Sequence, residues 1–191
     1  MSAPAAATID RRVARTREAL HHALLALMLK KGYDAVSVEE ICAEANVGRS
    51  TFYAHFTGKD DLKRSGLDTH LRRMLLERQR QAVGTERFGF ALPFFEHTRD
   101  HLPLYRALVS KGGAATTLKM IRQIVLEQVR HDLTRNAGSN APDALPREAV
   151  EQFVVGAFMS LLTWWLDGGA KLPASRVDTM FRRLATQGVA R

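Results

Sequence analysis

Residues 37–62 read Ser37-Val-Glu-Glu-Ile-Cys-Ala-Glu-Ala-Asn-Val-Gly-Arg-Ser-Thr-Phe-Tyr-Ala-His-Phe-Thr-Gly-Lys-Asp-Asp-Leu62, and the fold turns on this stretch. Ser37 and Glu40 have the spacing of a capping box, in which hydroxyl and carboxylate each satisfy a backbone amide left over at a helix start. Val36 and Ile41 supply the hydrophobic staple that accompanies it. A short helix is expected over Val38–Ala45. Asn46-Val47-Gly48 interrupts it, because Asn and Gly both tolerate positive φ. A second short helix then runs from Arg49 to about His55, and Thr57-Gly58-Lys59-Asp60 opens a long one reaching about Arg80. Two short helices at a sharp turn, braced by long neighbours, have the layout of a helix-turn-helix.

Working outward, the segment Asp10–Lys31 carries Val13, Leu20, Ala23, Leu24, Leu27 and Met28 at three- and four-residue steps, one apolar helical face. Lys30 and Lys31 suit its C-terminal dipole, and Gly32 can take the left-handed position beyond its end. Val38, Ile41, Ala45, Val47, Phe52 and Phe56 are spaced to pack against that face. Arg49, Ser50, Thr51, Tyr53 and His55 are left pointing outward on the second short helix. That set suits a duplex: Arg can fork to guanine, hydroxyls can bond base edges or phosphates, and Tyr and His can donate to phosphate oxygens.

The quoted stretch resembles the DNA-binding signature of the tetracycline-repressor (TetR) family, most distinctively in Thr51-Phe52-Tyr53-Ala54-His55-Phe56 followed by Lys59 and Leu62. The resemblance implies that Arg49, Ser50 and Thr51 lie at the groove-facing start of a recognition helix. It implies phosphate contacts from Tyr53, His55, Ser37 and Lys59. Asn46 stands where the family commonly has Gly, a turn that Asn can still make at modest cost. Gly48 stands where Ser is usual, which removes a side-chain cap but costs only tenths of a kcal/mol relative to Ser.

The remainder of the 191 residues also reads as helical: about Glu86–His97, bent or broken by Pro93; Pro103–Ser110; Ala114–Arg135; then, after a loop over Asn136–Pro146, about Arg147–Asp167 and Pro173–Gln187. The expected fold is all-α with about nine helices. An N-terminal helix-turn-helix domain would occupy residues 1–66, and a ligand-binding and dimerisation domain residues 67–191. In the last two helices, Phe153, Gly156, Ala157, Ser160, Trp164 and Phe181 lie on broad apolar faces. Such faces serve either to close the monomer core or to pair two copies, and the family pairs subunits there. Leu71, Leu75, Phe88, Phe94, Phe95, Tyr105, Met120 and Ile124 either fill the core or line a cavity for a small-molecule effector, as the resemblance implies. Pro93 is expected to loosen one wall of that cavity.

Composition narrows the alternatives. The net charge of +8 suits a polyanionic partner. It points to DNA only weakly, since residues 1–66 hold ten Lys/Arg against eight Asp/Glu and the rest hold eighteen against twelve. Arg11, Arg12, Arg15 and Arg17 at the start of the first helix fit a solvated helix end and phosphate contact equally. The single Cys42 allows no intramolecular disulfide and fits a reducing compartment, as a small buried residue or a redox sensor. The apolar stretch Val154–Leu166, about 13 residues against the ~20 a bilayer needs, points to a soluble, cytoplasmic protein with no membrane partner. His97 and His101 have metal-ligand spacing, but Thr98 stands where a zinc peptidase needs its Glu base. No enzyme, metal or cofactor is therefore expected. The partners expected are double-stranded DNA, a small-molecule effector and a second copy of the chain. Regulation runs most naturally through repression relieved by ligand, with ligand-dependent activation also open. The competing reading is a regulator that has lost DNA binding and acts through a protein partner.

Overall fold

The computed structural model describes residues 4–81, 87–109, 114–135 and 145–187. Among these are nine helices and no strand: α1 (Pro4–Lys31), α2 (Val38–Glu44), α3 (Arg49–His55), α4 (Lys59–Gln81), α5 (Ala91–Asp100), α6 (Leu102–Val109), α7 (Ala114–Arg135), α8 (Arg147–Asp167) and α9 (Ala174–Gln187). Residues 86 and 110, Gly84, Gly112-Gly113 and the loop through residue 144 lie outside the described residues. Contacts divide the chain into two compact units, residues 1–69 with 106–117 and residues 70–105 with 118–191.

In the first unit, α1 starts at Pro4 rather than Asp10. Proline presets φ for a first helical turn, and the following alanines are the best helix formers. The helix ends as its sequence predicts: Gly32 has φ +79° and its amide donates to the Met28 carbonyl at 2.9 Å. Leu20, Ala23, Leu24 and Met28 form its buried face, at the spacing of one helical stripe. Ile41, Cys42, Phe52, Phe56 and Leu62 complete this core. Val38, Ala45 and Val47 are half-buried.

The second unit is built on stacked aromatic rings. Phe158 of α8 meets Phe94 of α5 edge-on at 5.2 Å, Phe95 of α5 in a stacked arrangement at 4.9 Å, and Phe181 of α9 at 5.3 Å. Phe95 also meets Trp165 edge-on. Offset and edge-to-face pairs of this kind add about 0.5–1.5 kcal/mol each beyond the burial of their area. Polar bonds tie the surrounding helices: Arg72 of α4 to Glu127 of α7, and Arg130 of α7 with Arg147 to the buried Glu151 of α8.

Two expectations are corrected here. Pro93 neither bends nor breaks its helix: α5 starts at Ala91, so Pro93 sits in the first turn, where amides lack helical acceptors anyway and a missing N–H costs nothing. It loosens no wall. The turn ahead of α5 contains Phe88 at φ +58°, fully buried, with its amide donating to the Asp132 carboxylate at 3.0 Å. The second correction concerns α8. The helix is 21 residues long and contains an 18-residue window of mean hydropathy 1.4, enough by length and composition to cross a membrane. Its residues Val154, Val155, Phe158, Leu162 and Trp165 are nonetheless buried within the protein, on one side of the helix.

Candidate nucleic-acid interface

The turn between α2 and α3 forms as its residues dictate. Ser37 caps α2: its hydroxyl accepts from the Glu40 amide at 3.2 Å, and the Glu40 carboxylate accepts from the Ser37 amide at 2.9 Å. Lys31 also bonds the Glu40 carboxylate. These bonds, led by Lys31, hold the Glu40 carboxyl down at about 2. Asn46 takes φ +52° at the bend, and the Val47 amide donates back to the Cys42 carbonyl at 2.9 Å. Gly48 is the N-cap of α3, with no side-chain cap bond.

This geometry sorts the seven residues of α3 by phase. Phe52 is 0% and the following Phe56 3% exposed, whereas Tyr53 is 53% exposed. Arg49, Ser50 and Thr51 are exposed and His55 is half-buried. One side of α3 is thus anchored by phenylalanine while the other presents a guanidinium, two hydroxyls and a phenol. The rings of Phe52 and Tyr53 meet edge-on at 5.2 Å, so the exposed phenol has a fixed base.

Two of the residues expected to hold phosphate are engaged inside the protein. The Lys59 ammonium donates to the carbonyl oxygens of Val36 (2.8 Å), Tyr33 (3.2 Å) and Asp34 (3.3 Å), which together use its three donors. The Ser37 hydroxyl lies 2.9 Å from the Glu40 carboxylate that it helps to cap. Of the four arginines at the start of α1, Arg17 has a packing role: it donates to the Ser65 hydroxyl at 2.9 Å and lies over the Phe56 ring at 4.6 Å. Arg11, Arg12 and Arg15 are exposed. Cys42 is buried, which pushes its thiol up and away from reactivity.

Family models match both parts of the chain. That for bacterial regulatory proteins of the tetR family matches residues 20–64, and that for a transcriptional regulator C-terminal region matches residues 88–187, more than half the chain. The chain belongs to the TetR family. It is a TetR-family transcriptional regulator with a DNA-binding helix-turn-helix domain. A curated relative, the uncharacterized HTH-type transcriptional regulator YxbF of Bacillus subtilis (strain 168), is 44% identical over 55 residues, 28% of this chain and 14% of that protein. The match therefore spans about a seventh of the relative's length. The fold is shared with a TetR transcriptional regulator from Streptococcus agalactiae 2603V (TM-score 0.69, 23% identity, 94% of this chain and 98% of that one). It is shared too with the regulator FadR from Bacillus subtilis, solved in complex with stearoyl-CoA (TM-score 0.65, 16% identity, 91% and 99%). These relatives are transcriptional regulators, not enzymes.

The residues expected at an effector site lie mainly in the aromatic core. Phe88, Phe94, Phe95, Leu71, Leu75, Tyr105 and Ile124 are all buried, and Met120 is half-buried. Tyr105 lies 6.4 Å from Phe94 between ring centroids, and its buried hydroxyl faces the Thr98 side chain. The residues expected to pair subunits divide between surface and interior. Phe153 is 60% and Trp164 50% exposed, Ser160 is exposed, and Gly156 and Ala157 are half-buried. Phe181 is instead fully buried among Phe88, Phe90 and Phe158, so it closes the protomer core.

Sequence reasoning missed what holds this domain together. Tyr33 bonds Asp60 through its hydroxyl, and both Lys59 and the buried Lys63 lie over its ring, at 4.6 and 4.0 Å. An aromatic residue followed some 25 positions later by Lys59-Asp60 and Lys63 carries no local signal of that contact.

Proposed function

We propose that the chain acts as a homodimeric repressor, held on a palindromic operator and released from it by a small-molecule effector. One observation carries the reading: α3 buries Phe52 and Phe56 while Arg49, Ser50, Thr51 and Tyr53 remain exposed on the same seven-residue helix. Arg49 reads bases; Tyr53 and His55 touch phosphate and fix the register. A lone helix-turn-helix reads too few base pairs to be selective, so two copies about one turn of DNA apart, roughly 34–36 Å, are required. The exposed Phe153 and Trp164, beside the small Gly156, Ala157 and Ser160, supply a face on which two copies can approach closely.

The effector binds in the second unit, among the aromatic rings and the buried Tyr105 hydroxyl, and favours the spacing of recognition helices that does not fit the operator. That FadR of Bacillus subtilis is found with stearoyl-CoA supports a ligand carrying a long acyl chain for this fold. The protein would work in the cytoplasm, where its DNA lies.

The test is selection of bound fragments from random duplex DNA by the purified chain. A palindrome with half-sites one helical turn apart supports the proposal, and absence of enrichment overturns it in favour of a protein partner. With the selected duplex, Arg49→Ala should relax the base preference at one position, at a cost of about 1–3 kcal/mol. Tyr53→Ala should weaken binding to every sequence alike.

A further inference from the structure

His97 on α5 and His101 at its C-cap are four residues apart, and the structure brings a third imidazole to them from α4. Nε2 of His70 lies 3.2 Å from Nε2 of His97. Ring centroids are 4.2 Å apart for His97 and His101 and 6.3 Å for His70 and His101. All three residues belong to the second unit. Two nitrogens bound to one tetrahedral zinc at about 2.0–2.1 Å sit roughly 3.3–3.4 Å apart. The His70–His97 separation is close to that chord.

A hydrogen bond between two neutral imidazoles gives the same distance in the metal-free chain. His101 is oriented independently: its Nδ1 lies 3.0 Å from the His97 carbonyl oxygen. A ring nitrogen facing a carbonyl must carry the proton, so Nε2 of His101 holds the lone pair. Backbone carbonyls set the tautomer of metal-binding histidines in this way. Among the described residues no three His, Cys, Asp or Glu side chains are already gathered round one point. The His70–His97 pair is in position, and His101, whose ring is held at the His97 carbonyl in the metal-free chain, must turn to complete the set.

We propose that His70, His97 and His101 bind a late first-row divalent cation of the zinc, nickel or copper type, linking α4 to α5. Imidazole nitrogens select these ions over magnesium and calcium, which take oxygen ligands. His70 and His101 are exposed, which gives the ion a way in. Imidazole binds a metal in its neutral form, so the site fills as pH rises. Of the charges nearby, Arg73 opposes a cation while Glu77 and Asp100 favour it.

The test is calorimetric titration of the tag-free full chain with Zn2+, with Mg2+ as control, and with Co2+ followed by its visible absorbance. One Zn2+ per chain, no Mg2+, and Co2+ bands of nitrogen coordination are expected. His97→Ala and His70→Gln should each lower Zn2+ affinity by at least ~10-fold, a cost that even outer-shell substitutions reach. His22→Gln, far along the sequence on an exposed face of α1, should leave it unchanged. Should circular dichroism show His97→Ala unfolded, His101→Gln, altered at an exposed ring, takes its place. Absence of Zn2+ binding to the wild-type chain overturns the proposal. So does equal binding by the His70 and His97 variants, or loss of binding in His22→Gln. No DNA enters the measurement, so its outcome is separate from that of the operator selection.

Discussion

The ammonium of Lys59 donates to the carbonyl oxygen of Val36 at 2.8 Å and so fastens the connection between α1 and α2 to the first turn of α4. Two further carbonyls, of Tyr33 and Asp34, complete its donors. A charged hydrogen bond contributes about 1.5–3 kcal/mol. Lys59→Met is therefore expected to lower the unfolding free energy, read from urea titration, by an amount in that range. Its operator affinity should keep the wild-type dependence on salt, because loss of one phosphate contact would reduce the slope by about 1. A reduced slope would show that Lys59 reaches DNA after all.

Gly66 lies against His21. A Cβ at Gly66 would fall 2.7 Å from Cδ2 of the half-buried His21 ring, which itself packs on Phe56. In an open helix, Gly→Ala gains about 0.8–1.0 kcal/mol. Here the gain is outweighed by displacement of His21, and Gly66→Ala is expected to destabilise the chain. In a His21→Ala background the same substitution should become stabilising, which a double-mutant cycle by urea unfolding would show.

Glu40 gives the protein an acid limit. Its carboxyl falls from an ordinary 4.5 to about 2 in the folded chain, because Lys31 and then Ser37 bond the ionised form. Its contribution is complete above about pH 4.5 and is lost as pH drops toward 2. Glu40→Gln should flatten the fall in stability over that window and leave its upper side parallel to wild type. Since the carboxylate is on the surface, high salt should shrink the difference.

Pairing of subunits is testable at Trp164, half exposed on α8. Trp164→Glu should convert a dimer to monomers in sedimentation velocity with the far-ultraviolet dichroism unchanged. Phe181→Ala makes the contrast: that ring is buried inside the protomer, and its truncation should cost about 3–5 kcal/mol of stability. A Trp164→Glu protein that remains dimeric would remove this face from the interface.

What was legible in the sequence was local. The capping box at Ser37, the left-handed bend at Asn46 and the end of α1 at Gly32 each depend on a few adjacent residues, and each is found where those residues place it. The phase of α3 was readable because Phe52 and Phe56 are one helical turn apart. Contacts made across the fold were not readable. Lys59 turns inward because the carbonyls of residues 33–36 await it, His21 meets Gly66 from another helix, and His70 comes to His97 across 27 positions. Pro93 was misread because its effect depends on where α5 begins, and that start is set by the turn at Phe88.

That turn has a consequence of its own. A phenylalanine in a conformation natural to glycine costs about 1–2 kcal/mol, so Phe88 does not choose its own geometry. The Asp132 carboxylate, one turn from the end of α7, grips its amide, and Phe181 of α9 covers its ring. The entry to α5 is therefore a cocked joint whose catch sits on α7. The start of α5 thus depends on a carboxylate that lies 44 positions beyond Phe88 in the chain.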